Sequence, residues 1–326
     1  MRTTLAVKLQ LLGAFLAATL PGQVGATTPT ADEATPFPET FAAYVGLVGD
    51  GIVQQPSDVT IGPDGSIWIT DLGTDQVHKF DADGGHILTF GETGQEPGQF
   101  EFADFGAIAL DGDGDVFVLD TGNQRVQKFS PDLTFEREWG ESGLEHGEFQ
   151  HPSGIAVRSD GMVFVVDAFS GQVQQFDSSG EFVAEIFPTG IATEFYEPSR
   201  VGLDSAGNLY VPDITRVYVF DTDGRQIRVI QTNEIDNGTI GLASDAAVSP
   251  SGLLYVSDLQ NSRIAVFDPD GVIVGYWGTS GTGPGQFVEV DALAMDDAGK
   301  LLVLDFGNRR IQAFTLVNSP SATPTP

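Results

Sequence analysis

Histidine and carboxylate side chains are the main candidates for chemistry in this chain of 326 residues. The chain has four histidines, His78, His86, His146 and His151, and no cysteine. The absence of cysteine excludes a disulfide framework, a thiolate zinc site and a cysteine nucleophile. The chain has 46 Asp and Glu against 15 Lys and Arg, a net charge of −31. Because nucleic-acid affinity depends on basic side chains that displace counterions, we predict no nucleic-acid partner.

Five possible ligand-binding residues lie at or near the starts of short β-rich runs. Arg200 begins one run, while Asp58, Asp245 and Asp291 lie at or beside the equivalent position in others. If the runs converge, these four side chains form either a polar binding pocket or a channel-mouth ion pair with ordered water. His151 precedes a further run, and it is the first histidine to suspect of acid or base chemistry.

A second set of aspartates ends β-rich runs at nearly constant intervals of 49, 47, 46, 45 and 47 residues. We call them the ring aspartates. They are Asp71, Asp120, Asp167, Asp213, Asp258 and Asp305. Each could contact a ligand from a loop. The alternative is a structural role, in which each carboxylate accepts loop N–H groups and pairs with Arg125, Arg263 or Arg309.

The regular spacing indicates six copies of a unit of about 47 residues. In the second unit, β-rich runs at 107–110, 116–119, 125–129 and 135–139 are separated by turn residues. Four short strands at this period are typical of a propeller blade. The sequence therefore predicts an all-β, six-bladed β-propeller of four-stranded antiparallel blades. The sixth unit lacks a fourth strand, and we predict that residues 39–46 supply it as an N-terminal velcro strand.

The order of strands assigns the connections to two faces of the ring. The loops after the ring aspartates and the glycine-rich links between units share one face, which we call the loop face. The tight Asp-Gly turns share the other. Binding residues usually lie on longer loops held by a rigid scaffold, so the loop face is the candidate binding surface. Leu72, Phe169 and Phe306 follow ring aspartates there and are candidate anchors for a partner. The alternative is that they pack against neighbouring loops, which is the role we expect for Phe306.

Two repeated motifs give the units a family resemblance. The links begin Gly91-Glu92-Thr93-Gly94, Gly140-Glu141-Ser142-Gly143 and Gly278-Thr279-Ser280-Gly281, and the pattern Asp-x-x-Asn-x-Arg-(Val/Ile)-x-x-Phe starts at Asp120, Asp258 and Asp305. This pattern resembles the NHL repeat, named for an Asn-His-Leu variant of the segment that reads Asn123-Gln124-Arg125 here. The resemblance covers nearly all of residues 39–316. Unit four departs from it, because its 213–220 loop is two residues shorter and residues 231–244 lack the glycine pattern.

Metal binding is not predicted by any single motif. Residues 111–115, Asp-Gly-Asp-Gly-Asp, resemble the start of a calcium loop. However, Val116 stands where an EF-hand needs glycine, and Gly122 stands where it needs a bidentate Glu. We interpret the segment as a reverse turn. No cofactor is therefore predicted, although calcium or zinc stays open.

The amino end of the chain predicts export. Arg2 and Lys8 precede an apolar stretch, residues 9–20, that small residues follow, typical of a signal peptide cleaved after Ala26. The alternative is an uncleaved amino-terminal anchor. The predicted organisation is a signal peptide at 1–26, a linker at 27–38, the propeller at 39–316 and a Ser/Pro/Thr-rich tail at 317–326. We expect a secreted or periplasmic monomer with no stable membrane insertion after cleavage.

Two functions from different classes fit this organisation. The first is a non-catalytic binding or scaffold module for an extracellular protein, peptide or glycan. The alternative is a metal-dependent lyase or hydrolase similar to peptidylglycine amidating lyase, a six-bladed propeller of similar repeats that uses histidine-bound zinc. Catalytic zinc usually needs three protein ligands. In this sequence only His151 opens a blade in the corresponding kind of place.

Overall fold

The computed structural model describes residues 42–190, 194–214, 216–232 and 240–316. Within them the protein is all-β, and its helical content is a single 3-10 turn, Phe306–Asn308. None of the helical structure in these ranges is long and apolar enough to cross a membrane. The signal peptide, linker and tail predicted at 1–26, 27–38 and 317–326 lie outside the described residues.

Six four-stranded antiparallel sheets form the blades of the propeller. Strand β1 (Ala42–Val48) precedes the first complete blade. Blade 1 contains β2 (Pro56–Ile61), β3 (Ile67–Asp71), β4 (Gln76–Phe80) and β5 (His86–Phe90). Blade 2 contains β6 (Ala107–Leu110), β7 (Val116–Asp120), β8 (Arg125–Phe129) and β9 (Phe135–Trp139). The short parallel pair β10 (Glu141–Ser142) and β11 (Glu148–Phe149) follows, in the link to blade 3.

The remaining blades repeat this plan. Blade 3 contains β12 (Pro152–Val157), β13 (Val163–Asp167), β14 (Gln172–Phe176) and β15 (Phe182–Ile186). Blade 4 contains β16 (Gly202–Leu203), β17 (Leu209–Asp213), β18 (Arg216–Phe220) and β19 (Gln226–Gln231). Blade 5 contains β20 (Ala243–Val248), β21 (Leu254–Asp258), β22 (Arg263–Phe267) and β23 (Ile273–Trp277). After the linking pair β24 (Thr279–Ser280) and β25 (Gln286–Phe287), blade 6 contains β26 (Val290–Met295), β27 (Lys300–Asp305) and β28 (Arg310–Leu316).

The fourth strand of blade 6 comes from the other end of the described chain. β1 pairs antiparallel with β28, from Ala42 opposite Leu316 to Val48 opposite Ile311. The sequence placed this strand at 39–46, whereas the observed strand runs two residues further, to Val48. Blades 1 and 6 also share one apolar cluster, in which Val59 and Leu302 are both buried. The first and last blades are thus in direct contact.

Buried phenylalanines fill the spaces between blades. The Phe that closes the third strand of each blade is at most 2% exposed. These residues are Phe80, Phe129, Phe176, Phe220, Phe267 and Phe314. Burying one such side chain is worth about 1.5–3 kcal/mol, and their regular recurrence makes the blades stack without helices between them.

Strand pairing places the ring aspartates on one face. The first strand of each blade is its inner strand. In blades 1, 3 and 5 the first residue of this strand lies opposite a ring aspartate: Pro56 opposite Asp71, Pro152 opposite Asp167 and Ala243 opposite Asp258. The turn at Asp111 lies at the other end of its strands. There Asp111 Oδ1 accepts the backbone N–H groups of Asp113 and Asp115 at 3.0 and 2.9 Å, the bonding of a tight Asx-type turn.

Candidate functional site

The inner strands of all six blades line a central channel with a volume of about 190 Å³. Its wall includes Asp58, Arg200 and Asp245 together with many small residues. Gly154 and Gly202 are required by the close approach of neighbouring blades. A Cβ on Gly154 would lie 2.8 Å from the Cα of Arg200, and one on Gly202 would overlap the carbonyl oxygen of Ala246.

Arg200 reaches across this channel from blade 4. Its Nη1 donates to Oδ1 of Asp58 at 2.8 Å, and its Nη2 donates to the carbonyl oxygen of Ser57 at 2.5 Å, both in blade 1. Nη2 also lies 3.4 Å from Oδ2 of Asp291, which immediately precedes the aligned position of blade 6. All three charged side chains are at most 7% exposed. A buried arginine therefore connects three blades.

Two of the carboxylates also tie neighbouring blades together. Asp58 Oδ2 accepts the backbone N–H of Ile108 at 2.9 Å, and Asp245 Oδ2 accepts that of Leu293 at 2.7 Å. Each bond joins the inner strand of one blade to the inner strand of the next. The structure thus brings Asp58, Arg200 and Asp245 to one channel, with Asp291 in contact with Arg200.

Burial and neighbouring charge act in opposite directions on these groups. Burial raises the pKa of Asp58 although Arg200 opposes this rise. For Asp245, burial outweighs the attraction of Arg200 and raises the pKa to about 7. Burial disfavours the charge on Arg200, but the carboxylates of Asp58, Asp291 and Asp245 raise the pKa of the guanidinium above its ordinary value. Arg200 therefore stays charged, while Asp245 can hold a proton near neutral pH.

Stability should depend on pH through Asp245. Between its ordinary pKa of 3.8 and about 7, the folded protein retains a proton that the unfolded chain releases, so the free energy of unfolding falls as pH rises. The total contribution is about 4 kcal/mol, from ~1.4 kcal/mol for each pKa unit. Asp245→Asn should remove the part of this slope that Asp245 contributes, because an amide does not titrate in that range.

Urea unfolding of the wild type and Asp245→Asn at about pH 4.5 and about pH 7.5 measures the effect. The variant should gain stability relative to the wild type at the higher pH. Asp270→Asn, in an exposed turn, is the matched control. Parallel pH profiles for the wild type and Asp245→Asn would show that Asp245 is ionised throughout.

The ring aspartates are buried, with at most 2% exposure. Asp120 accepts hydrogen bonds from the Glu101 N–H at 2.7 Å, Arg125 Nε at 2.8 Å and Gln127 Nε2 at 3.1 Å. Asn123 Nδ2 also donates to it. Asp71 accepts hydrogen bonds from backbone N–H groups at the entrance of blade 1. Burial raises the pKa of Asp71, but the contact with His78 and these hydrogen bonds outweigh burial and lower the pKa to about 2. The ring carboxylates therefore fix loops to blades from inside the loop face.

The arginine partner in the last blade differs from the predicted one. Arg310 Nε, not Arg309, donates to Asp305 at 2.8 Å. Arg309 has a positive φ of 53° and is exposed. The pairing follows the five-residue spacing seen in Asp120–Arg125 and Asp258–Arg263, because the residue before the arginine occupies the left-handed turn position. The motif spacing gives Arg310 as the partner of Asp305, so the prediction of Arg309 was wrong.

His151 does not line the central channel. It lies in a separate pocket of about 120 Å³ on the loop face, between the entrances of blades 2 and 3. Its Nδ1 is 3.9 Å from Oδ2 of Asp104, and their side chains are 54% and 24% exposed. The His151 ring also lies 6.0 Å from the ring of Phe169.

Asp104 is the residue that the sequence analysis missed. It stands three residues before Ala107, as His151 stands three residues before Gly154, and Ala107 and Gly154 occupy equivalent inner-strand positions. A comparison of these equivalent positions in neighbouring units could have predicted that the side chains of Asp104 and His151 lie close together. Of the three predicted anchors, Phe169 is 72% exposed, whereas Leu72 packs partly buried against the core and Phe306 is half-buried.

The described residues contain no group of three or more His, Asp or Glu side chains placed to hold a metal ion. Asp104 and His151 together provide only two potential metal ligands. The carboxylates in the channel are already bound to Arg200 or to backbone N–H groups. These two places show ion pairs and hydrogen bonds between side chains and to backbone N–H groups.

Known proteins resemble this chain in two ways. A model of the NHL repeat matches residues 106–129, in blade 2. Peptidylglycine alpha-amidating monooxygenase of Rattus norvegicus is 34% identical over 118 residues, which cover 32% of this chain and 12% of the rat protein. The chain thus matches only a small part of that relative.

Two solved structures share the fold. A virginiamycin B lyase from Staphylococcus aureus is 14% identical, with a TM-score of 0.56, covering 88% of this chain and 92% of the lyase. A gluconolactonase from Xanthomonas campestris is 14% identical, with a TM-score of 0.60, covering 88% of this chain and 93% of that protein. Identities this low support the fold alone. The six four-stranded blades show that the described chain is a six-bladed β-propeller, and its second blade matches the NHL repeat.

Proposed function

We propose that this propeller is a secreted, non-catalytic binding module that holds an extracellular protein, peptide or glycan on its loop face. The observation that carries the proposal is the exposure of Phe169, whose large apolar side chain is 72% exposed beside His151 at the blade 2 and blade 3 pocket. Aromatic side chains that become buried on association supply much of the energy of an interface.

Further exposed apolar residues lie in neighbouring segments. Leu144, in the link between blades 2 and 3, is 57% exposed, and Tyr196, before blade 4, is 61% exposed. The carbonyl oxygen of Tyr196 accepts the N–H of Ile214, immediately after ring Asp213, which attaches Tyr196 to the loop face. A set of apolar side chains among acidic loops fits a partner that combines apolar and cationic groups.

The buried ionic groups support this function by keeping the loops in place. Ring Asp167 accepts the N–H groups of Gln150 and His151 at the entrance of blade 3 and those of Phe169 and Ser170 in the following loop. One carboxylate thus positions both the histidine and the aromatic side chain. A binding site that is organised before the partner arrives loses less conformational entropy on association.

An array of peptides and glycans probed with the labelled protein tests the proposal. The wild type should bind a subset of the array, and Phe169→Ala should weaken this binding on the order of tenfold, the usual effect of removing an interface anchor. Ile227→Ala is the control, because Ile227 is 56% exposed on the outer strand β19. Equal binding by the two variants, or no binding by the wild type, would contradict the proposed function.

The alternative is a metal-dependent lyase or hydrolase. The 34% identity with part of the rat amidating enzyme favours it, and Asp104 and His151 would then supply a carboxylate and an imidazole at the same pocket. In an enzyme of this class His151 could act as a general base with Asp104 orienting its ring, provided that the two move from 3.9 Å into hydrogen-bond distance. Zinc and calcium analysis of the purified protein distinguishes this function from simple binding.

A further inference from the structure

We propose that the pocket between Asp104 and His151 receives one cationic side chain, lysine or arginine, of a peptide partner. The inference rests on the proposed binding function and specifies which chemical group the loop face recognises. It is carried by three features: the size of the pocket, the charge of its lining and the exposed aromatic side chain of Phe169 beside His151.

The size of the pocket fits a single side chain. Its volume of about 120 Å³ is smaller than the roughly 300–1,000 Å³ clefts that enclose whole small-molecule ligands. Hydrogen bonds between neighbouring segments hold its walls. The N–H of Gly122 donates to the carbonyl oxygen of Glu101 at 2.7 Å, and Gln124 Nε2 donates to that of Gln150 at 3.1 Å. The pocket is therefore formed before a ligand enters.

The lining favours a positive charge. Its nine residues include one carboxylate, Asp104, and neither lysine nor arginine. Within the described chain the Asp104 carboxylate accepts no hydrogen bond, and its Oδ2 is too far from His151, at 3.9 Å, for one. Gln124 adds an amide oxygen that is free to accept. The Asp104 carboxylate and the Gln124 amide oxygen can both accept hydrogen bonds from an ammonium or guanidinium group, which is a donor only.

Phe169, beside His151, offers an apolar surface next to the pocket for the rest of the side chain. Lysine and arginine carry apolar methylene groups that pack on aromatic rings, while their charged ends are attracted to the face of such a ring. Phe169 is not among the nine lining residues, but its ring centroid lies 6.0 Å from that of His151, which does line the pocket. A longer side chain bound at Asp104 could therefore extend past His151 toward Phe169. The net charge of −31 adds a general attraction for a basic partner.

Binding of short labelled peptides tests the inference. Each peptide contains Gly and Ser around one variable residue: lysine, arginine or ε-acetyl-lysine. We expect the lysine or arginine peptide to bind at least tenfold more tightly than the acetylated one, because acetylation removes the charge. Asp104→Asn should remove most of this preference. Asp270→Asn makes the same charge change on an exposed turn at the other face and should leave the preference intact.

Two results would overturn the inference. The first is equal binding of the lysine, arginine and acetyl-lysine peptides. The second is an equal loss for Asp104→Asn and Asp270→Asn, which would show attraction to the whole acidic surface. If array ligands nevertheless require Phe169, the proposed binding function stands without the cationic specificity. If array binding is independent of Phe169, the proposed function itself fails.

Discussion

Arg200→Met should lower the free energy of unfolding by about 3–5 kcal/mol, the usual cost of removing one partner of a buried ion pair. The substitution leaves the buried Asp58 carboxylate without the cation 2.8 Å away and Asp291 without the one 3.4 Å away. It also removes the donor to the Ser57 carbonyl oxygen and the bridge from blade 4 to blade 1.

Urea unfolding of Arg200→Met and Arg225→Met measures this effect against a surface control. Arg225 pairs with Asp223 at 2.7 Å, but the two side chains are 75% and 64% exposed, and an exposed pair of this kind is worth about 0–1 kcal/mol. Adding Asp58→Asn to Arg200→Met should restore part of the loss, because it removes a buried charge. Similar small losses for the two arginine variants would mean that water reaches the channel and compensates Asp58.

Asp120→Ala should destabilise the protein by about 3 kcal/mol, because it leaves several buried donors without their acceptor. Arg125 Nε, the Asn123 amide and the Gln127 amide all donate to this carboxylate, as does the Glu101 N–H. The loss has an upper limit, since Arg125 retains Glu138 at 2.7 Å and three carbonyl oxygens of the preceding link.

Asp113→Ala is the matched control for Asp120→Ala. Asp113 is exposed in the turn of the same blade, and such surface substitutions usually change stability by about 0.5 kcal/mol or less. Thermal unfolding followed by circular dichroism compares the two variants. An Asp120→Ala protein as stable as Asp113→Ala would show that the ring carboxylate is not needed to hold the loops.

The six-bladed propeller could be predicted because the same residues recur in every unit. Each unit of about 47 residues contains its own turn residues, its own Phe at the end of the third strand and its own ring aspartate. Each pattern alone is weak evidence for a blade, but its recurrence in six units supports the assignment. Strand β8, for example, was predicted at 125–129 and is observed from Arg125 to Phe129. Blade 4 departs from the common pattern in structure as well, because its inner strand, β16, has only two residues.

The candidate site was less predictable because its residues are not periodic. Asp58, Arg200 and Asp245 were identified from equivalent positions in different units, and the structure places all three on the channel wall. Which of the carboxylates Arg200 reaches depends on crossing the ring, which no local pattern specifies. The partner of His151 was missed because Asp104 lies in the irregular segment before β6, whose path is fixed by contacts such as Thr121 Oγ1 donating to the Phe105 carbonyl oxygen.

The most direct test of loop-face binding is hydrogen exchange of the protein with and without its tightest array ligand. If the loop face is the binding surface, the ligand should slow exchange at residues 101–106, 121–124, 150–152 and 168–170, which surround Asp104, His151 and Phe169. Amides in the opposite turns, such as that at Asp270, should be unaffected. Protection confined to the outer strands or the opposite turns would contradict the assignment of the loop face as the binding surface.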